Sequence, residues 1–297
     1  MGEGTPGLAH GGRIPDPHQG PATPPLISQL KAPVGQVVRE FYGGPYPYEI
    51  AYDQFNGLLY ITVGNGSTGN SLRVAYPSNG TEVAPILNYT GSSYQFDTQL
   101  MVDPANGNIL MGVGGSVLPV VNTSTNWVFT PTQFPGASPW GILADPLTVD
   151  PQTGNAYYVS FNFNNSSTVY VFNITTYRLV TSFLIPWYPQ GAAYDPFNGD
   201  VYFSTGVAIQ NLTIVSGSTN RIVATVNGVP VGPGVVFDPL NHDLYVTGYY
   251  AQSQTGHSAR SVTVFNTDTN TVVARIPVGH SPHWAALDPR NNYLYVA

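Results

Sequence analysis

The sequence predicts an all-β repeat protein, and three observations lead to this prediction. A strand–turn–strand pattern occurs six times, as in AYDPFNGDVYFST at 193–205. The aspartates of the six copies, at 53, 103, 150, 195, 238 and 288, are separated by 50, 47, 45, 43 and 50 residues, a period typical of propellers and solenoids. Hydrophobic residues make up 42% of the 297 residues and include 20 Tyr and 13 Phe, which suits packed β-sheets.

The repeated turn has a chemical basis in each of its residue types. In the copy at 193–205, the carboxylate of Asp195 can accept hydrogen bonds from backbone N–H groups of the turn. Pro196 fixes its own φ angle, and Gly199 can take the left-handed conformation that ends the turn. We therefore interpret the six aspartates as structural turn residues: Asp53, Asp103, Asp150, Asp195, Asp238 and Asp288.

A second hairpin pattern follows most copies of the first. It occurs at 72–86, 117–129, 169–183, 212–226 and 262–276, and the N-terminal stretch 27–41 aligns with the last of these without a gap. These counts predict a β-propeller of six four-stranded antiparallel blades, closed by strands from the N- and C-termini. A truncated seven-bladed propeller is the alternative. In the third blade, either Asp145 or Asp150 could be the turn aspartate.

The chain has two parts by composition. Residues 1–25 are rich in Gly and Pro and contain almost no large apolar side chains, so we expect a flexible segment. Residues 26–297 contain the repeats and are expected to form the propeller.

The repeat resembles a known family. The sequence LYVT at 244–247, together with the Asp-Pro turns, is similar to the YVTN-type β-propeller repeat of surface-layer and other exported proteins of archaea and bacteria. This resemblance implies a propeller located outside the cell or on its surface, and it covers nearly the whole chain beyond residue 25.

Composition excludes several classes of function. The net charge is −7 and Lys31 is the only lysine, which argues against binding to nucleic acid. The chain contains no Cys, so thiolate metal sites and Cys nucleophiles are excluded, and no apolar run approaches the length of a membrane span. Eight Asn-x-Ser/Thr sequons, more than chance predicts, favour an exported glycoprotein, although no signal peptide is recognisable in residues 1–25.

The most suitable place for a ligand is the mouth of the central channel, where a loop leads into the first strand of each blade. Alignment on the turn aspartates places aromatic and polar side chains in these loops, which is typical of a small-ligand or glycan site. The candidate ligand-binding residues are Tyr48, Glu49, Asp97, Gln99, Trp140, Gln190, His283 and Trp284.

Two functional classes follow from this composition. The first is a structural, adhesion or ligand-binding module at the cell surface, with a protein or glycan as ligand. The second is a propeller enzyme with its site at the channel mouth, because YVTN-like propellers resemble lyases, lactonases and quinone-dependent dehydrogenases in fold. Most mouth loops offer Gln, Gly, Pro or Trp in place of convergent His and carboxylates, so we expect the first class, with no catalytic residue, metal or cofactor.

Overall fold

The structure, a computed structural model, describes residues 47–64, 70–89, 99–112, 117–134, 146–162, 165–206, 210–248, 260–280, 282–288 and 293–296. Strands and turns make up these residues, and all belong to one compact unit. No helix among them is long and apolar enough to cross a membrane. The predicted flexible segment at 1–25 lies outside the described residues.

The strands form five four-stranded antiparallel blades, each with its strands in chain order, followed by one two-stranded sheet. Blade 1 comprises β1 (Pro47–Asp53), β2 (Leu58–Gly64), β3 (Asn70–Ala75) and β4 (Glu82–Tyr89). Blade 2 comprises β5 (Gln99–Val102), β6 (Ile109–Gly112), β7 (Val117–Asn122) and β8 (Trp127–Gln133). Blade 3 comprises β9 (Leu147–Asp150), β10 (Asn155–Asn162), β11 (Ser166–Asn173) and β12 (Arg178–Pro186).

The remaining strands continue this order. Blade 4 comprises β13 (Pro189–Tyr194), β14 (Asp200–Thr205), β15 (Asn211–Ser216) and β16 (Arg221–Asn227). Blade 5 comprises β17 (Val235–Asp238), β18 (Asp243–Thr247), β19 (Ser261–Asn266) and β20 (Thr271–Pro277). The two-stranded sheet pairs β21 (Ala285–Asp288) with β22 (Tyr293–Val296).

The prediction of six four-stranded blades is wrong, and so is the seven-bladed alternative. The described residues form five such blades, and the sixth copy of the repeat forms the two-stranded sheet. The stretch 27–41, which was expected to complete a sixth blade, lies outside the described residues. A hairpin pattern in the sequence indicates that a segment can form paired strands, but it does not specify the sheet edge with which those strands pair.

The first strand of each blade forms the inner ring of the propeller. Strands β1, β5, β9, β13, β17 and β21 are neighbours in that order. Hydrophobic clusters fill the spaces between consecutive blades. Between blades 3 and 4, for example, Tyr157 and Val159 pack with Ala192 and Phe203. The packing therefore joins neighbouring blades face to face, as the alternation of apolar residues along each strand predicts.

The outer strands carry a repeated irregularity. In blades 3, 4 and 5, one extra residue bulges from the outer strand opposite its partner strand, and in each case it is a valine: Val180, Val223 or Val273. These valines are more than half exposed. A bulge on an edge strand disturbs the row of free backbone groups and so discourages pairing with another chain.

Candidate functional site

The repeated turns lie at one end of the inner strands and account for five of the predicted turn aspartates. Each carboxylate is buried, and its Oδ1 accepts the backbone N–H two residues later at 2.8–2.9 Å. In the same turns, the backbone carbonyl of the aspartate accepts the N–H four residues later at 2.8–3.1 Å. The aspartates are Asp53, Asp103, Asp150, Asp195 and Asp238. The side chain of Asp288 lies outside the described residues.

The residue four positions after each aspartate takes positive φ. Glycine occupies this position in blades 1 to 4, and His242, with φ of 58°, occupies it in blade 5. The Nδ1 of His242 lies 3.1 Å from both carboxylate oxygens of Asp268, and its ring stacks on Phe197 with centroids 4.2 Å apart. The contacts with a neighbouring turn and a neighbouring blade offset the strain of a left-handed non-glycine residue.

Blade 3 differs from the other blades in the second carboxylate oxygen of its turn aspartate. The Oδ2 atoms of Asp53, Asp103, Asp195 and Asp238 are buried and have no hydrogen-bond partner among the described residues. The Oδ2 of Asp150 instead accepts a hydrogen bond from Thr153 Oγ1 at 2.5 Å. Burial and the nearby Asp150 carboxylate raise the pKa of Tyr194 in blade 4. Asp150 is therefore the turn aspartate of blade 3, and its duplicate Asp145 lies outside the described residues.

Buried tyrosines surround these turns. Desolvation by burial raises the pKa of Tyr60 to about 12 and also raises the pKa values of Tyr157, Tyr194 and Tyr202. The hydroxyl of Tyr157 donates to the carbonyl of Gly217 in the next blade at 3.3 Å. These phenols are protonated at neutral pH and connect blades, so their role is structural.

The opposite end of the inner strands contains the predicted mouth residues. Gln190 and Gln99 lie in the first strands of blades 4 and 2, Glu49 lies in that of blade 1, and His283 and Trp284 precede β21. The backbone of Tyr48 belongs to β1, but its side chain is not described, and Asp97 and Trp140 lie outside the described residues.

Gln190 is the most informative of these residues. It occupies a β-bulge between Pro189, which pairs with Thr205, and Gly191, which pairs with Ser204. The residue is only 3% exposed, and its Nε2 has no hydrogen-bond partner among the described residues. A bulge changes the direction of a side chain, and an amide donor that is buried without a partner is costly, so Gln190 is a candidate ligand contact.

Other mouth residues already have structural contacts. The Oε1 of Gln99 accepts the backbone N–H of Leu147 at 2.7 Å, which connects blades 2 and 3. The backbone N–H of Glu49 donates to Thr62 Oγ1 at 3.0 Å. The rings of His283 and Trp284 meet edge to face with centroids 5.5 Å apart.

Hydroxyl groups and glycines hold together the mouth loops of blades 4 and 5 and of the two-stranded sheet. Thr247 Oγ1 donates to the carbonyl of His283 at 2.9 Å, and Ser204 Oγ donates to the carbonyl of Gly232 at 2.8 Å. A Cβ atom on Gly191 would lie 2.6 Å from the carbonyl oxygen of Pro233. This side of the mouth is therefore tightly packed, and contacts with its backbone carbonyl position His283.

Three exposed apolar side chains at the turn end of the propeller were not among the predicted site residues. Phe55, Phe197 and Leu240, each two residues after a turn aspartate, are 54%, 58% and 67% exposed. Their common position in the repeat is the signal that could have identified them. Within the described part of the chain, no group of three or more His, Cys, Asp or Glu could hold a metal ion.

Comparison with known proteins identifies the fold alone. No family model matches the chain, and no curated protein matches it. Solved structures do match. A chain of Kuenenia stuttgartiensis hydrazine synthase has a TM-score of 0.61 and 14% identity, and the match covers 84% of this chain and 83% of that one. The Dos1 propeller has a TM-score of 0.59 and 14% identity, and the match covers 84% of this chain and 65% of that one. A chain of a nidogen–laminin complex is also similar (TM-score 0.52, 13% identity, 84% and 82%). The chain is a β-propeller, and these proteins of different function share no more than that fold with it.

Proposed function

We propose that this chain is an exported or cell-surface β-propeller of the YVTN type that acts as a binding module, with a protein or glycan ligand at the channel mouth. The observation that carries this proposal is the buried Nε2 of Gln190, which has no hydrogen-bond partner among the described residues. Gln190 lies on the inner strand β13, at the end of the ring where His283 and Trp284 precede the inner strand β21. A donor amide, an imidazole and an indole can together contact a ligand that has both hydrogen-bonding oxygens and an apolar face.

Sugars have both of these features. A pyranose ring presents C–H groups on one face, which can stack on an indole, and hydroxyl oxygens at its edge, which can accept from an amide N–H. The tightly packed loops that position His283 would reduce the entropy lost on binding. A polysaccharide or glycoprotein of the cell exterior would present such rings to a surface propeller.

The use of carboxylates in this chain supports binding over catalysis. The turn aspartates of blades 1 to 5 are committed to backbone hydrogen bonds. Acid–base or metal catalysis at the channel axis would need convergent His or carboxylate side chains, and the described residues contain no such metal-binding group. The enzyme alternative therefore has no specific observation in its favour.

A glycan screen followed by titration tests this proposal. We expect Trp284→Ala to weaken the binding of any hit by about 1–3 kcal/mol, because an indole buries a large apolar area on stacking. Gln190→Ala should weaken the same hit by removing a hydrogen-bond donor. Trp127→Ala is the matched control, since Trp127 is 70% exposed and lies on an outer strand.

The outcomes separate the alternatives. Hits that are indifferent to both Trp284→Ala and Gln190→Ala would contradict a mouth site. Sensitivity to Trp127→Ala alone would move the site to the outer strands. Export is tested separately by fractionation of the source cells and by protease accessibility of the chain on intact cells.

A further inference from the structure

We propose that Asn79 is an N-glycosylation acceptor of this protein, unlike the other sequon asparagines whose side chains the structure describes. This inference rests on the proposed export of the chain. Five sequon asparagines have described side chains: Asn79, Asn122, Asn165, Asn173 and Asn211. They differ in the accessibility of the two groups that define a sequon, the asparagine amide and the Ser/Thr hydroxyl two residues later.

Asn79 lies in the turn between β3 and β4, where Pro77 to Asn79 and Thr81 are exposed. Its Oδ1 accepts the backbone N–H of Thr81 at 2.9 Å. Neither the Nδ2 of Asn79 nor the hydroxyl of Thr81 bonds to another described residue. The Asn-Gly-Thr sequon is therefore presented with its amide nitrogen and its hydroxyl both accessible.

In Asn122-Thr123-Ser124, the structure uses both sequon groups. The hydroxyl of Ser124 donates to Asn122 Oδ1 at 2.6 Å, and the same oxygen accepts the backbone N–H groups of Ser124 and Thr125 at 3.1 and 3.2 Å. Sequon residues here close a tight turn. In the equivalent turn of blade 5, Asn266 Oδ1 accepts from the N–H and the hydroxyl of Thr269, three residues later, although Asp268 stands at its sequon position. The sequon at Asn122 is thus a consequence of turn chemistry.

In Asn173-Ile174-Thr175, the amide closes the equivalent turn of blade 3. Its Oδ1 accepts from the N–H groups of Thr175 and Thr176 and from the hydroxyl of Thr176. Its Nδ2 lies 3.6 Å from the position that a Cβ on Gly154 would take, so the nitrogen faces the neighbouring turn.

The remaining two sequons lack an accessible hydroxyl. Asn165 is exposed, but its Oδ1 accepts from Tyr188, and Ser167 is 1% exposed with its hydroxyl bonded to the carbonyl of Trp187. Asn211 is 6% exposed in a central strand, and Thr213 is fully buried. Attachment of a sugar at Asn211 would require the blade to open.

The modification is a transfer from a lipid-linked oligosaccharide. Asn79 Nδ2 forms a bond to C1 of the first sugar, the C1–O bond to the lipid pyrophosphate breaks, and the pyrophosphate leaves as Nδ2 loses a proton. In the folded protein, Asn79 can meet a transferase without any change in the sheets, because its turn projects beyond the paired ends of β3 and β4.

The test uses the folded full chain, a lipid-linked oligosaccharide and a purified single-subunit oligosaccharyltransferase that accepts any Asn-x-Ser/Thr sequon. We expect peptide mapping by mass spectrometry to find sugar on Asn79 and none on Asn122, Asn173 or Asn211. Asn79→Gln should lose this modification, and Asn122→Gln is the matched control that should retain it. The urea-unfolded chain should be modified at the other sequons as well, which shows that the fold protects them.

Two results would overturn the proposal: an unmodified Asn79 in the folded chain, or equal modification of Asn122 and Asn79. The same mapping of protein from the source cells separates this inference from the proposed function. If the protein is found outside the cell without sugar on Asn79, the glycosylation of Asn79 is refuted and the proposed export is not. Protein retained in the cytoplasm refutes the export, and with it the native glycan.

Discussion

The buried carboxylate oxygen of Asp195 offers a direct test of the energetics of the repeated turn. In blade 3, the equivalent oxygen of Asp150 accepts a hydrogen bond from Thr153, and the Asp150 carboxylate raises the pKa of Tyr194 in the next blade. Phe237 occupies in blade 5 the position that Tyr194 occupies in blade 4, one residue before the turn aspartate. Phe237→Tyr should therefore supply the missing donor to Asp195.

The expected gain can be worked out from these contacts. A hydrogen bond to a charged group contributes about 1.5–3 kcal/mol, and desolvation of the new hydroxyl offsets part of this. We expect Phe237→Tyr to raise the free energy of unfolding by about 1 kcal/mol, or the melting midpoint by about 2–4 °C for a protein of this size. Tyr194→Phe, the reverse change at the equivalent position, should cost about 1–2 kcal/mol, because it removes the hydroxyl that the Asp150 carboxylate influences.

Urea unfolding followed by tryptophan fluorescence measures both effects, provided that the slope with denaturant is the same in all variants. A double-mutant cycle with Asp195→Ala isolates the new contact. Asp195→Ala alone should cost on the order of 1 kcal/mol, since it removes the acceptor for the N–H of Phe197. The assignment of the unpaired oxygen is refuted if Phe237→Tyr gives no gain in the free energy of unfolding. It is also refuted if the same gain persists in the Asp195→Ala background.

Two further predictions concern the mouth loops and the pH dependence of stability. Gly191→Ala should destabilise the fold by about 1–3 kcal/mol, because the added Cβ would lie 2.6 Å from both the Pro233 carbonyl and the Val235 side chain. Thermal melts measure this effect, and Gly279→Ala is the neutral control, because a Cβ at Gly279 would have nothing within 4 Å. Burial raises the pKa of Asp103 in the folded state. Between the ordinary and the raised pKa, the folded state therefore binds more protons than the unfolded state, and the contribution of Asp103 to stability rises as the pH falls through that window. Asp103→Asn should remove this contribution, so that the parent gains stability relative to the variant on acidification; a difference that does not vary with pH would contradict the prediction.

Much of the local structure could be predicted from the sequence, because local chemistry specifies it. Asp195 and Gly199 predicted both the turn and its backbone geometry. The turn itself needs a carboxylate that accepts the N–H two residues later, and a residue that can take positive φ. The aromatic and β-branched flanks predicted the strands for the same reason. The repeat register placed the candidate mouth residues Glu49 and Gln190 in loops that enter the inner strands, whereas the structure places both within those strands, in β1 and β13.

Blade number and the partners of individual side chains could not be predicted in this way. The stretch 27–41 and the hairpin at 262–276 share one pattern, yet a shared pattern does not choose the strand edge to which a hairpin pairs. Likewise, Gln99 and Gln190 both lie in first strands of blades. The Oε1 of Gln99 accepts the backbone N–H of Leu147 in the next blade, whereas the Nε2 of Gln190 has no partner among the described residues.

The sequence by itself determined the all-β repeat, the position of its turns and the alternation of buried and exposed residues along each strand, because these depend on contacts between residues close in the chain. The tertiary structure decided the number of four-stranded blades and left the Nε2 of Gln190 without a partner among the described residues. It also decided the difference between Asn79, whose sequon is exposed, and the described sequons whose amide or hydroxyl is bonded or buried. Each of these features depends on groups that are distant in sequence or on the direction in which one side chain points. Burial and geometry set the free energy of such contacts, and the sequence pattern contains neither.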